Sequence, residues 1–191
     1  WVIDPPDGTI NYLYGFPSYS VSIAVQMDKK TIVGVVHDPL RDEVFTAVRG
    51  NGAFCNGKPL SVREPVTLDQ ALIATGFGYR SDRRKRQAEV LLGLITEVRD
   101  IRRAGSAALD LCWVAKGNLD GYYERGLNPW DLAAGILIVE EAGGVTGGLG
   151  GVPASPDLAI AAPKGVFGPL EKLLAGLKAD QDDETSLGNS W

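Results

Sequence analysis

Trp1-Val2-Ile3-Asp4-Pro5-Pro6-Asp7-Gly8-Thr9-Ile10-Asn11 opens the chain, and the rest is read outward from it. Two β-branched residues behind a tryptophan predict the end of a buried strand. Asp4-Pro5-Pro6 predicts its break, because proline fixes φ, lacks an N–H and restricts the residue before it. Asp4 and Asp7 are then expected to project from a tight loop at a strand's carboxyl end, where α/β proteins hold ligands. Gly8 permits close backbone approach, and the N–H groups of Gly8 and Thr9 are placed to face an anion. Two carboxylates, a hydroxyl and free N–H groups so close together suit hard cations that hold a phosphate. A plain turn accounts for the prolines and Gly8, but not for two acids directly after an apolar strand.

At 191 residues the chain is long enough for one large domain or two small ones. A net charge of −5 argues against non-specific nucleic-acid binding as the main activity. An acidic protein handling an acidic substrate needs cations as the bridge, which agrees with the opening stretch. No apolar run reaches the roughly 18 residues of a membrane span. Cys55 and Cys112 are too few for a disulfide scaffold; both are expected as buried thiols in a reducing cytoplasm. The chain starts at Trp1, inside a predicted strand, so an upstream part is expected in the whole protein.

Ser18 to Met27 and Lys30 to His37 predict an antiparallel hairpin around Asp28-Lys29, with Glu43 to Val48 as a third strand. Ala53 to Val62 reads as a short hairpin about Asn56-Gly57. Ala71 to Phe77 is a buried strand, and Asp100 to Arg103 and Leu119 to Glu124 are further strands. The basic run Arg80 to Arg86 opens the helical pattern of Arg86 to Val98; a solvated helix start is its plainer reading, a patch for an anionic partner the other. Ser106 caps a helix through Lys116, closed by Gly117. Asn128-Pro129 starts another that runs to Glu141. Gly147 to Gly151 reads as a loose connection, Leu158 to Ala162 as a strand, and Val166 to Leu177 as a terminal helix. The polar stretch from Gln181 to Trp191 is expected to fray. Strands first, then alternating helices and strands, predict α and β layers.

Asp131 is the second acidic signal, in a first helical turn where a carboxylate is favoured for structural reasons alone. If the fold sets it beside Asp4 and Asp7, three carboxylates converge and need divalent cations. The Pro6 carbonyl is a further oxygen donor. Thr9 either orients a metal-bound water or bonds local backbone. Glu124, ending the apolar Tyr122-Tyr123-Glu124 strand, either accepts substrate hydroxyls or pairs with Arg125 or Arg103. The N–H groups of Gly105, Ser106 and Ala107 open a helix toward a polar substrate. His37, the single histidine, has no Gly-x-Ser-x-Gly partner and reads as a strand-end residue; one His and two distant Cys make no zinc set.

Trp1 to Asn11 resembles the first signature of the inositol monophosphatase family of metal-dependent sugar phosphatases. Trp130-Asp131-Leu132-Ala133-Ala134-Gly135, followed by Glu141-Ala142-Gly143-Gly144, resembles its second. Gly105-Ser106-Ala107-Ala108-Leu109-Asp110 and Asp120-Gly121-Tyr122-Tyr123-Glu124 fit between them in the family's order. The resemblance implies an α+β fold layered αβαβα, as in inositol monophosphatases and fructose-1,6-bisphosphatases. The phosphatase domain would fill residues 1–178, with 179–191 as a flexible tail. It further implies Mg2+-dependent hydrolysis of a phosphate monoester, with two or three ions, lithium sensitivity and a homodimer; the apolar runs and the net charge, read above, argue against membrane and nucleic acid as partners.

By position, Asp4 resembles the carboxylate bridging two metals, the Pro6 carbonyl a ligand of the first, and Asp7 and Asp131 ligands of the second. Thr9 resembles the water-activating hydroxyl. Gly8 and Thr9 match phosphate-binding amides, and Glu124 and the Ala107 amide the groups that hold inositol hydroxyls. Inositol 1-phosphate is the expected substrate. The alternatives are histidinol phosphate, fructose 1,6-bisphosphate, a 3′-phosphoadenosine nucleotide, or a non-catalytic binding role through Arg80 to Arg86. Pro6 stands where the family usually has a branched aliphatic residue, and Tyr14 where it often has histidine. A further acidic ligand and the acidic partner of the threonine lie upstream in the family, so the chain alone is expected to be poorly active.

Overall fold

The computed structural model describes residues 1–64 and 66–182; the expected fraying beyond residue 182 lies outside them. The first third is an antiparallel meander. Strands β1 (Val2–Asp7), β2 (Ser20–Met27), β3 (Lys30–Asp38), β4 (Glu43–Val48), β5 (Ala53–Cys55) and β6 (Lys58–Pro59) lie side by side in chain order. Their alternation is the reason. Ser20, Ser22 and Ala24 of β2 turn inward, as do Val36 of β3 and Phe45 and Ala47 of β4, while the residues between them are more exposed.

β1 corrects the opening expectation in two ways. The strand does not break at Asp4 but continues to Asp7, with Asp4 opposite Ser22 and Asp7 opposite Ser20. Three steps on β1 therefore match two on β2, a bulge that absorbs Pro5 and Pro6. Proline is tolerated because β1 is the sheet's edge, where a missing N–H costs no ladder bond. The strand is only partly buried: Ile3 is 51% exposed, and Trp1 just before it 83%, while Asp7 is buried. Behind it comes α1 (Thr9–Tyr14), a one-and-a-half-turn helix bounded by left-handed Gly8 and Gly15 and too short to show a sequence period.

The second sheet runs β10 (Val145–Gly147), β11 (Ala159–Ala162), β9 (Gly121–Glu124), β7 (Leu72–Thr75), β8 (Asp100–Arg102). β7 pairs parallel with both β8 and β9, and the remaining pairings are antiparallel. Between the sheets lie α3 (Ala107–Ala115) and α4 (Pro129–Glu141), apolar on nearly every face as a helix sandwiched between sheets must be. Outside the second sheet lie α2 (Ser81–Leu94) and α5 (Lys164–Gly176). Alternate residues of the second sheet feed two cores. Ala74, Tyr122 and Ala161 join α3, α4 and the first sheet, while Ile73, Tyr123 and Ile160 join α2 and α5. The layers therefore read sheet, helices, sheet, helices, an α+β arrangement.

Some expected boundaries shift. α2 starts at Ser81 and ends at Leu94, not Val98, and β10 forms where a loose glycine connection was expected to begin. Ala179, assigned by sequence to the tail, is buried in the α2–α5 core, and Asp182 pairs with Arg83 and Arg125. Cys55 and Cys112 are buried free thiols. Among the described residues no helix is long and apolar enough to cross a membrane.

One close approach sets where α4 lies. A Cβ on Gly34 of β3 would stand 2.9 Å from the Ala134 carbonyl oxygen and 3.1 Å from its Cα, so backbone meets backbone there. Gly34→Ala is expected to cost about 1–3 kcal/mol by overpacking. For a chain of this size that is a fall of roughly 2–4 °C in Tm per kcal/mol. Thermal melts check it, and an unchanged Tm would contradict the close contact.

Candidate metal centre

Two elements meet at one end of the first sheet. β1 supplies Asp4 and, at its last residue, Asp7; the first turn of α4 supplies Asp131. One carboxylate oxygen from each lies within 4.8 Å of the other two. They floor a cleft of about 790 Å3 that Pro6, Gly8, Thr9, Glu124 and Trp130 also line.

Each acid is held by local chemistry. Asp131 is the third residue of a helix capped by Asn128, and its Oδ2 accepts the Asn128 N–H at 2.6 Å. Asp7 is buried, and its Oδ2 accepts from the Ser20 hydroxyl at 3.1 Å, the Ala108 N–H at 3.0 Å and the Ser106 hydroxyl. Those donors belong to β2 and to the first residues of α3, so the acid also joins these elements. Burial raises Asp7 above the ordinary carboxylate range, and the three donors pull it back. Burial likewise pushes Asp4 up to about 7, reinforced by a hydrogen bond to Asp131 and by the charges of Asp7 and Asp131. Without a cation, then, a proton holds the cluster together.

The donor set is all oxygen, on short rigid elements, and fits hard divalent cations better than soft ones. The Pro6 carbonyl accepts the Thr9 hydroxyl at 2.8 Å. Gly8 reaches φ +82° at the start of α1, and a Cβ there would meet the Ser18 carbonyl oxygen at 2.8 Å. Only glycine fits that turn without strain. Of Gly105, Ser106 and Ala107, the first and last line the cleft. Ser106 caps the Leu109 N–H as expected, and its buried hydroxyl also bonds Asp7.

Glu124 reaches the cleft from the end of β9 and accepts the Tyr122 hydroxyl at 2.8 Å. Burial raises it to about 7, against the pull of Tyr122 and Arg103. Sequence reasoning missed what makes room for it. A Cβ on Gly76 would fall 1.9 Å from Glu124 Oε2, so only glycine at 76 leaves the carboxylate in place. It also missed Asn11, whose amide donates to the Ser18 and Ala104 carbonyls and ties the Gly8 turn to the Gly105 turn. A bare Asn in a helix gives no such signal. His37 lies within β3 opposite Val44 and does not line the cleft.

Gly76→Ala is expected to displace the Glu124 carboxylate. Isothermal titration should find divalent-ion affinity unchanged in this variant, because Glu124 is not one of the three clustered acids; a loss of affinity would show that Glu124 is not separate from the metal cluster.

Known proteins carry the same architecture. The model of the inositol monophosphatase family matches residues 1–185. Proteins named Nus factor SuhB are similar in sequence: that of Haemophilus influenzae is 51% identical over 146 residues, 76% of this chain and 55% of the relative. That of Escherichia coli K12 is 49% identical over the same length. Among solved structures, Mycobacterium tuberculosis SuhB superposes with a TM-score of 0.86 at 43% identity, covering 95% of this chain and 73% of that one. Inositol monophosphatase from Anabaena (Nostoc) sp. PCC 7120 gives 0.85 at 36%, covering 92% and 71%. The chain thus spans a little over half the length of the curated relatives it matches first. With its family model covering nearly all of it and its three acids meeting where the two signatures converge, the chain belongs to the inositol monophosphatase family.

Proposed function

We propose that the whole protein hydrolyses a phosphate monoester of a polyol, with inositol 1-phosphate as substrate and Mg2+ as the metal. The convergence of Asp4, Asp7 and Asp131 within 4.8 Å at the floor of the cleft carries this reading. Bound there, divalent ions would supply a water of lowered pKa and a counter-charge for phosphoryl and leaving-group oxygens. Asp4, Asp7 and Asp131 would hold them, joined by the Pro6 carbonyl. The Gly8 and Thr9 N–H groups would orient the phosphate, and the Thr9 hydroxyl the attacking water. Glu124 and the Ala107 N–H would take ring hydroxyls, Glu124 as acceptor when ionised and donor when protonated.

Phosphate release by the full-length protein should be assayed across inositol 1-phosphate, histidinol phosphate, fructose 1,6-bisphosphate and a 3′-phosphoadenosine nucleotide. Inositol 1-phosphate is expected among the best, and its absence from them removes the substrate assignment. The name Nus factor in the relatives weighs against one sequence argument, that the net charge speaks against nucleic acid as a partner. Net charge averages a surface of which a partner reads one patch.

A further inference from the structure

Among the described residues Tyr122 is the largest side chain sealed inside the molecule, yet its hydroxyl serves the cleft. Residues 122 and 124 of β9 point to one face of the second sheet. The Tyr122 ring therefore packs among α3, α4 and the first sheet, while Glu124, at the strand's end, reaches the cleft. A buried phenol needs an acceptor, and this one donates to Glu124 Oε2 at 2.8 Å. Burial, and then the charges of Glu124 and Asp110, push the phenol well above its ordinary range. It keeps its proton and stays a donor at any working pH.

That bond makes the two oxygens of Glu124 unequal. Among the described residues no group donates to Oε1. A proton added to the carboxyl therefore goes to Oε1, whose charge no donor offsets. Oε1 is also the oxygen left to meet a ligand, as the carboxylate lies against the bare backbone of Gly76. Other charged groups act on Glu124 from every side: Arg103 after β8, Asp7 of β1 and Asp131 of α4. Asp110 of α3 is a fourth, buried with Oδ1 unpartnered and raised first by that burial. Among the described residues none of these four hydrogen-bonds Glu124. They bias its charge, whereas Tyr122 fixes its orientation.

Building on the phosphatase reading, we infer that Tyr122 is a positioning residue that sets specificity: by holding Oε2 it turns Oε1 toward the leaving group and selects esters whose leaving group is a polyol. An ester bearing hydroxyls gains from an acceptor held in one place, and an ester without them does not. Tyr122 touches no substrate atom itself, since its ring is wholly enclosed.

The test compares Tyr122→Phe with the parent on the full-length protein with Mg2+, using inositol 1-phosphate and p-nitrophenyl phosphate, which has no hydroxyl on its leaving group. KM for inositol 1-phosphate should rise about fivefold to tenfold, the scale of one hydrogen bond to a charged group, with kcat within about twofold. KM for p-nitrophenyl phosphate should stay within about twofold, since it makes no use of Oε1. In a Glu124→Ala background the same substitution should change neither KM, because its route to the substrate is gone. Equal rises for both esters, or a rise that persists without Glu124, overturn the inference and leave Tyr122 a packing residue. A second readout needs no turnover. Infrared titration of the metal-free protein follows the Glu124 carboxyl, identified by its loss in Glu124→Gln, and should find its midpoint near 7 in the parent. Losing a donor to the charged form should move that midpoint up by about one unit in Tyr122→Phe. Such a shift in a protein that releases phosphate from neither ester keeps the hold of Tyr122 on Glu124 and removes the phosphatase. An unmoved midpoint removes the inference whatever the turnover.

Discussion

Asp131→Asn in the full-length protein is expected to lower kcat/KM for phosphate release on the order of a thousandfold, beyond the ~10–100-fold that loss of an outer partner of a metal ligand costs. Asparagine is the informative replacement because it keeps the shape and a carbonyl oxygen. That oxygen can still accept the Asn128 N–H that closes the start of α4, so the helix and its packing should persist. What is lost is one negative charge at a point where carboxylates from three places meet. Circular dichroism and melting should therefore match the parent while turnover and divalent-ion binding fall together. Turnover within about threefold of the parent would remove the metal role from Asp131 and, with it, the reason for the cluster.

Divalent-ion affinity should weaken about tenfold for each pH unit below 7, close to a hundredfold between pH 7 and pH 5. The sign follows from Asp4. Its folded, metal-free value near 7 lies above the ordinary 3.8, so the folded chain keeps a proton that an unfolded one releases. In the absence of metal, stability contributed by this group is full below about pH 4 and declines as pH rises toward 7. A cation must displace that proton, which is free only above pH 7, so the gain in Tm from Mg2+ should be large at pH 8 and small at pH 5. Asp7, also raised by burial, adds in the same direction. Isothermal titration at the two pH values reads it directly, and equal affinities at pH 5 and pH 7.5 would show that the acids are not where the ion binds.

The features legible in sequence were those fixed by neighbours along the chain. The β2–β3 hairpin, the Ser106 cap and the Pro129 helix start all depend on residues within four positions. The two acidic stretches were legible for the same reason, and the family resemblance joined them. The rest depends on partners far away in sequence. β1 runs through two prolines because it occupies a sheet edge, which no local pattern announces. The Ser106 hydroxyl also bonds Asp7, ninety-nine residues earlier. Gly76 reads as an ordinary glycine until Glu124 is brought against it. The arginines of α2 looked like a solvated helix start, and only the fold shows that Arg83 and Arg84 line the same cleft as the acids.

Asp7 places a single oxygen, Oδ2, under three donors from β2 and α3. Asp4 and Asp131 carry no comparable duty to other elements, so the three acids are unequal hostages to catalysis. A lineage of this fold that abandoned its chemistry would be free to drift at 4 and 131 well before 7. The order in which the carboxylates disappear would then record when the enzyme fell silent.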